Sequence, residues 1–155
     1  MLRAATRQVR SEERGFTLPE VLITIVIMGI VFAIASSAWF STVDSRRVDS
    51  ATNQLASDLR KAHTSATNRL GESKVVMDTS NPTTYQIGPT GSLSTRYLPE
   101  GAQIDTTATI TFNPNGSASV NPSSVGSISV KAINDDAKFH DLEVNPATSR
   151  VKLVD

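Results

Sequence analysis

Hydrophobic and polar residues are segregated along this chain. From Val21 to Phe40, twenty consecutive residues carry no charge. An apolar run of roughly 20 residues is what an α-helix needs to cross a bilayer. Beyond it the pattern becomes periodic. Val48, Ala51, Leu55, Leu59, Ala62, Ala66 and Leu70 recur at spacings of three and four, which makes one apolar stripe on a helix. Arg46, Asp49, Asp58, Arg60, Lys61 and Arg69 lie between them. No proline or turn signal divides the two stretches. The pattern therefore predicts one helix from about residue 19 to 70, apolar all round in its first half and amphipathic in its second. Gly71 is its predicted C-cap.

From residue 71 on, the period changes. This region holds six of the seven prolines and six of the eight glycines, so it is cut into short pieces. Strand-like runs between them are Lys74–Met77, Tyr85–Ile87, Ala108–Phe112, Ser127–Ile133, Phe139–Val144 and Val151–Val154. Asn113-Pro-Asn-Gly116 and Asn145-Pro-Ala-Thr-Ser149 read as turns. The helical stripe must be buried, and a sheet face is the available partner. The expected fold class is α+β: a long N-terminal helix packed on a small antiparallel β-sandwich head.

Charge changes this picture in one place. Over 155 residues, Lys and Arg total 15 and so do Asp and Glu, which excludes a general basic coat for duplex DNA. The zero sum conceals unlike parts. Residues 1–15 hold four arginines against two glutamates, and residues 71–155 hold six basic and nine acidic side chains. Glu20 stands alone at the start of the apolar run. There is no cysteine, hence no disulfide, no thiolate metal site and no cysteine nucleophile. Enzyme chemistry finds little support. His63 lies beside the helical stripe and His140 in a strand, each reading as a satisfied or solvated histidine. No G-x-S-x-G elbow occurs. Asp135-Asp136 lacks calcium-loop spacing and reads as a solvated loop. No catalytic residue, metal or cofactor is expected.

The N-terminal 40 residues admit three readings. A secretory signal would use the basic leader and the A-x-A-like Ala33-Ile34-Ala35, but the apolar run exceeds the usual 7–15-residue h-region. A plain anchor would keep the positive leader in the cytoplasm, with Trp39 and Phe40 at the outer interface. Neither accounts for Glu20, because an ionisable group within a membrane segment costs several kcal/mol. The third reading rests on the junction Arg14-Gly15-Phe16-Thr17-Leu18-Pro19-Glu20. It resembles the class III signal of type IV pilins and pseudopilins. That resemblance implies cleavage between Gly15 and Phe16 by a prepilin peptidase/methyltransferase, and N-methylation of Phe16. It also implies a subunit-assembly role for Phe16 and Glu20, the carboxylate meeting the Phe16 amine of a neighbouring subunit. Pro19 departs from the commoner aliphatic residue. Gly29 matches a frequent glycine, but the proline often found about eight residues later is absent.

Further along, Ala56-Ser-Asp-Leu-Arg-Lys-Ala62, Leu98-Pro-Glu-Gly-Ala102, Ile110-Thr-Phe-Asn-Pro-Asn-Gly116 and Val144-Asn-Pro-Ala-Thr-Ser-Arg-Val-Lys152 resemble, in order, segments of the GspH/FimT branch. Ser149 stands where that branch usually has glycine. The resemblance implies four parts: a leader (1–15), a transmembrane and filament-core half-helix (16–40), an amphipathic half-helix (41–70) and a β-rich head (71–155). It implies a minor pseudopilin or pilin of a type II secretion system or type IV pilus. Such a subunit would be a single-pass protein of the bacterial cytoplasmic membrane, N-terminus cytoplasmic and head periplasmic. Its implied partners are other pilins, an inner-membrane assembly platform and the lipid bilayer. The alternative is a FimT-like minor pilin that binds DNA for uptake, with Arg150 and Lys152 as contacts.

Overall fold

In the computed structural model, which describes residues 15–123 and 126–154 (the side chains of 37 and 38 excepted), one helix, α1, runs over Leu18–Arg69. This matches the predicted span. The leader arginines Arg3, Arg7, Arg10 and Arg14 lie outside the described residues. By internal packing the chain divides into Met1–Ala38 and Trp39–Asp155.

In the first unit, the described part of α1 is exposed on all faces. Val21, Leu22, Ile23, Ile25, Val26, Ile27, Met28, Ile30, Val31, Phe32 and Ile34 all face outward. A helix that is apolar all round has no solvent-facing side and calls for a non-aqueous surround. By length and composition this one can cross a bilayer.

In the second unit, α1 buries its stripe. Val48, Ala51, Leu55, Leu59, Ala62 and Ala66 are buried as their spacing predicts. Leu70 is the exception, at 80% exposure. The helix ends at Arg69, and Leu70 takes the left-handed conformation with φ 51°. The Gly71 N–H then reaches the Ala66 carbonyl at 3.3 Å, the six-to-one bond of a Schellman turn. The predicted glycine cap is thus shifted by one residue: Leu70, not Gly71, takes the left-handed turn.

Nine strands follow: β1 (Ser73–Met77), β2 (Thr84–Pro89), β3 (Ser94–Tyr97), β4 (Ala102–Ile104), β5 (Ala108–Phe112), β6 (Ala118–Asn121), β7 (Ile128–Ala132), β8 (Phe139–Val144) and β9 (Val151–Val154). They form two antiparallel sheets, ordered β3-β2-β1-β5-β6 and β4-β7-β8-β9. The six predicted strands are all present. The three unpredicted ones are short or polar, and β3 exposes all four of its side chains. Alternation turns Val75, Met77, Ile110 and Phe112 of the first sheet inward, with Ile104, Val130 and Leu142 of the second. With Leu55 and Leu59 of α1 they make one apolar core. Each such side chain contributes about 1.5–3 kcal/mol on burial.

Two turns fasten the sheets together. Asn113–Gly116 closes the β5–β6 hairpin, with the Gly116 N–H donating to the Asn113 carbonyl at 3.0 Å and Gly116 at φ 84°. The β8–β9 turn brings Ser149 to φ 53° and buries it to 4% exposure. Ser149 Oγ donates to the Gly116 carbonyl at 2.7 Å, and the Ala118 N–H donates to the Pro146 carbonyl at 2.8 Å.

Candidate functional site

The N-terminal junction is where sequence reasoning concentrated its functional residues. Gly15, Phe16 and Thr17 precede the helix, so the Gly15–Phe16 bond lies in non-helical chain. Phe16 is exposed. Pro19 is the second residue of α1, where a missing N–H has no intrahelical acceptor to lose. The departure at Pro19 therefore costs no helical hydrogen bond. Glu20 sits in the first turn. Its Oε2 accepts a long hydrogen bond, 3.5 Å, from the Thr17 N–H. Thr17-x-x-Glu20 is capping-box spacing, a signal the sequence reading passed over. A carboxylate there also complements the helix dipole. Thr24 Oγ1 donates back to the Glu20 carbonyl. The cap gives Glu20 a neutral partner only. From Gly15 to Val43, Glu20 is the one charged side chain.

The second cluster is one the sequence did not reveal. Asp58, predicted to lie on the polar side of α1, is buried at 5% exposure. Its Oδ2 accepts from the Tyr85 hydroxyl at 2.7 Å, and its Oδ1 pairs with Lys61 Nζ at 2.9 Å. Gln54 Nε2 donates to Tyr85 Oη at 3.3 Å and to the Tyr97 carbonyl at 2.8 Å. Burial pushes the Asp58 pKa up, but the hydrogen bonds from Lys61 and Tyr85 outweigh it and leave the carboxyl below its ordinary range. Burial and the Asp58 charge push the Tyr85 hydroxyl up to about 12. The Asp in Ala56-x-Asp-Leu-Arg is thus the helix's polar clasp on the first sheet. A single aspartate between stripe residues carries no signal of burial, because its partner lies 27 residues away.

The remaining candidates are dispersed. His63 packs against the Phe112 ring, centroids 5.9 Å apart and tilted by 59°. His140 Nε2 meets Asp49 Oδ1 at 2.7 Å. Asp136 and Asp105 flank Lys131 Nζ at 3.1 and 3.2 Å. Arg150 and Lys152 are exposed, and Lys152 lies opposite Glu143 in the β8–β9 register. Among the described residues, no group of three or more His, Cys, Asp or Glu side chains is placed to hold a metal.

Two protein-family models match the chain. The prokaryotic N-terminal methylation motif matches residues 10–36, which includes the Gly15–Glu20 junction. The model described as type II transport protein GspH matches residues 51–148, most of the second unit. The crystal structure of the Pseudomonas aeruginosa type IV minor pilin FimU is similar, with a TM-score of 0.53 and 15% identity, over 69% of this chain and 92% of that one. At that identity the likeness is one of fold. No curated protein matches the sequence. A helix entering a two-sheet head, a methylation motif at its start and a family match over more than half its length agree: the chain belongs to the GspH family of pilin-like proteins.

Proposed function

We propose that this protein is a minor pseudopilin of a type II secretion system, cut between Gly15 and Phe16 and N-methylated on Phe16. It is anchored in the cytoplasmic membrane by the apolar half of α1, with its head outside, and then drawn into a filament by the assembly platform. The observation that carries the reading is Glu20. It is the one charge between Gly15 and Val43, on the half of α1 that is exposed and apolar all round, and its local partner is a neutral N–H. A positive amine on a neighbour's Phe16 would compensate it as helices pack. Breaking one half of a buried ion pair costs about 3–5 kcal/mol, enough to stop assembly. The role is structural and templating, with no catalytic step.

Mass spectrometry of the membrane-extracted protein is expected to find a methylated Phe16 at the mature N-terminus. A start near Ser36 would refute the reading. Glu20→Leu is expected to stay in the membrane fraction and vanish from sheared filaments. The DNA-uptake alternative has weaker support: its two cations, Arg150 and Lys152, share the β8–β9 hairpin with Glu143. So few phosphate contacts bind feebly and only at low salt.

A further inference from the structure

We infer that the open groove between α1 and the edge strand β3 seats one carboxylate side chain of a neighbouring pilin-type subunit. The groove is about 190 Å³. Lys61, Ser65, Ser73, Ser94 and Arg96 line it, over a floor that includes Ile87. In the β2–β3 register Ser94 lies opposite Ile87 and Arg96 opposite Tyr85. Both therefore project from the sheet face that Tyr85 turns toward α1, where α1 does not cover them. Ala62, Ser65, Gly88 and Ser94 are small, and this keeps the groove open.

Its charge is unbalanced. Asp58 is engaged on both oxygens, by Lys61 and by Tyr85. The Arg96 side chain forms no hydrogen bond or ion pair among the described residues and acts on Asp58 and Tyr85 through its charge. A guanidinium is built for bidentate contact with a carboxylate. Ser65 and Ser94 line the same groove and bring hydroxyl donors to it. The volume falls below the roughly 300–1,000 Å³ of small-molecule and cofactor sites, which argues for a single side chain. One free cation makes too few phosphate contacts to hold nucleic acid. Acidic side chains outnumber basic ones in this chain's own head, nine to six over residues 71–155, so a neighbouring head of the same kind would offer such a carboxylate. The inference rests on the filament reading above for the identity of the neighbour.

The test uses the full chain in detergent, titrated with a hexaglutamate peptide and followed by amide chemical shifts. Shifts centred on Ser65, Ser94 and Arg96 are expected, with none from hexaglutamine. Arg96→Gln should weaken binding about tenfold, the loss of one charge-assisted contact. Arg96→Lys should recover part of it, and Arg150→Gln should change nothing. Shifts outside the groove, or affinity unchanged in Arg96→Gln, would overturn the inference. Tighter binding of inorganic phosphate at the same residues would overturn its assignment to a protein carboxylate. The titration needs no filament, so its failure leaves the filament reading standing. Normal filaments from Glu20→Leu would sink that reading and leave the groove's chemistry intact.

Discussion

Replacing Tyr85 with Phe removes one oxygen from the interior and changes nothing else in shape. Its hydroxyl is the partner of Asp58 Oδ2 at 2.7 Å, and both residues are buried, Tyr85 at 1% exposure. The deletion leaves a buried carboxylate oxygen without its donor, and Gln54 Nε2 loses one of its two acceptors. A hydrogen bond to a charged group contributes about 1.5–3 kcal/mol, so Tyr85→Phe should destabilise the second unit by about 2 kcal/mol. For a unit of this size that is roughly 6–10 °C in Tm. The penalty should depend on pH with a defined sign. The Asp58 pKa is lowered on folding. The stabilisation from its ionised form is therefore present above the unfolded carboxylate pKa and is lost as pH falls through the folded one. A protonated Asp58 accepts only a neutral hydrogen bond, about 0.5–1.5 kcal/mol. The gap between wild type and Tyr85→Phe should narrow toward about 1 kcal/mol at acid pH. Thermal unfolding of the detergent-solubilised chain, followed by circular dichroism at a series of pH values, measures this. A penalty under about 0.5 kcal/mol at neutral pH, or one equal at neutral and acid pH, would refute the reasoning.

Three further outcomes are expected. Ultraviolet titration of a Tyr97→Phe variant should place Tyr85 ionisation near 12. Because that pKa is raised on folding from 10.0, stability should fall as pH rises from the unfolded value toward the folded one; ionisation at the ordinary tyrosine value would sink the buried clasp. Ser149→Ala should cost about 1–2 kcal/mol in denaturant unfolding, because the left-handed turn remains while its hydrogen bond to the Gly116 carbonyl is lost. Ser149→Gly should be close to neutral, since relief of about 1–2 kcal/mol of backbone strain offsets the lost bond; equal losses in the two variants would argue against strain at this turn. Leu59→Ala, at the fully buried centre of the stripe, should cost about 2–5 kcal/mol. A cost under 1 kcal/mol would show that the core collapses around the gap.

Long-period signals were legible, and pairwise ones were not. Seven positions spaced by three and four defined α1 closely, and six of them are buried. Leu70 fails because the stripe rule has no knowledge of where the helix stops, and the Schellman turn stops it one residue short. β5, β8 and β9 matched to the residue because apolar or β-branched side chains mark their length. β3 was invisible because Ser94, Thr95, Arg96 and Tyr97 bury nothing and are held by pairing to β2. The junction Gly15-Phe16-x-x-x-Glu20 was readable because its residues are adjacent in sequence. The clasp of Asp58 on Tyr85 and the groove beside Arg96 were not, since each joins residues from separate elements.

The paired turns at Gly116 and Ser149 bear on when and where the head can finish folding. They tie the β5–β6 hairpin to the last hairpin of the chain through two hydrogen bonds, a closure that small exported domains often obtain from a disulfide. With no sulfur involved, closure by these bonds needs no oxidant. It joins residues of the β5–β6 turn to residues of the β8–β9 turn, so both hairpins must be formed. Formation of this closure is therefore independent of redox poise.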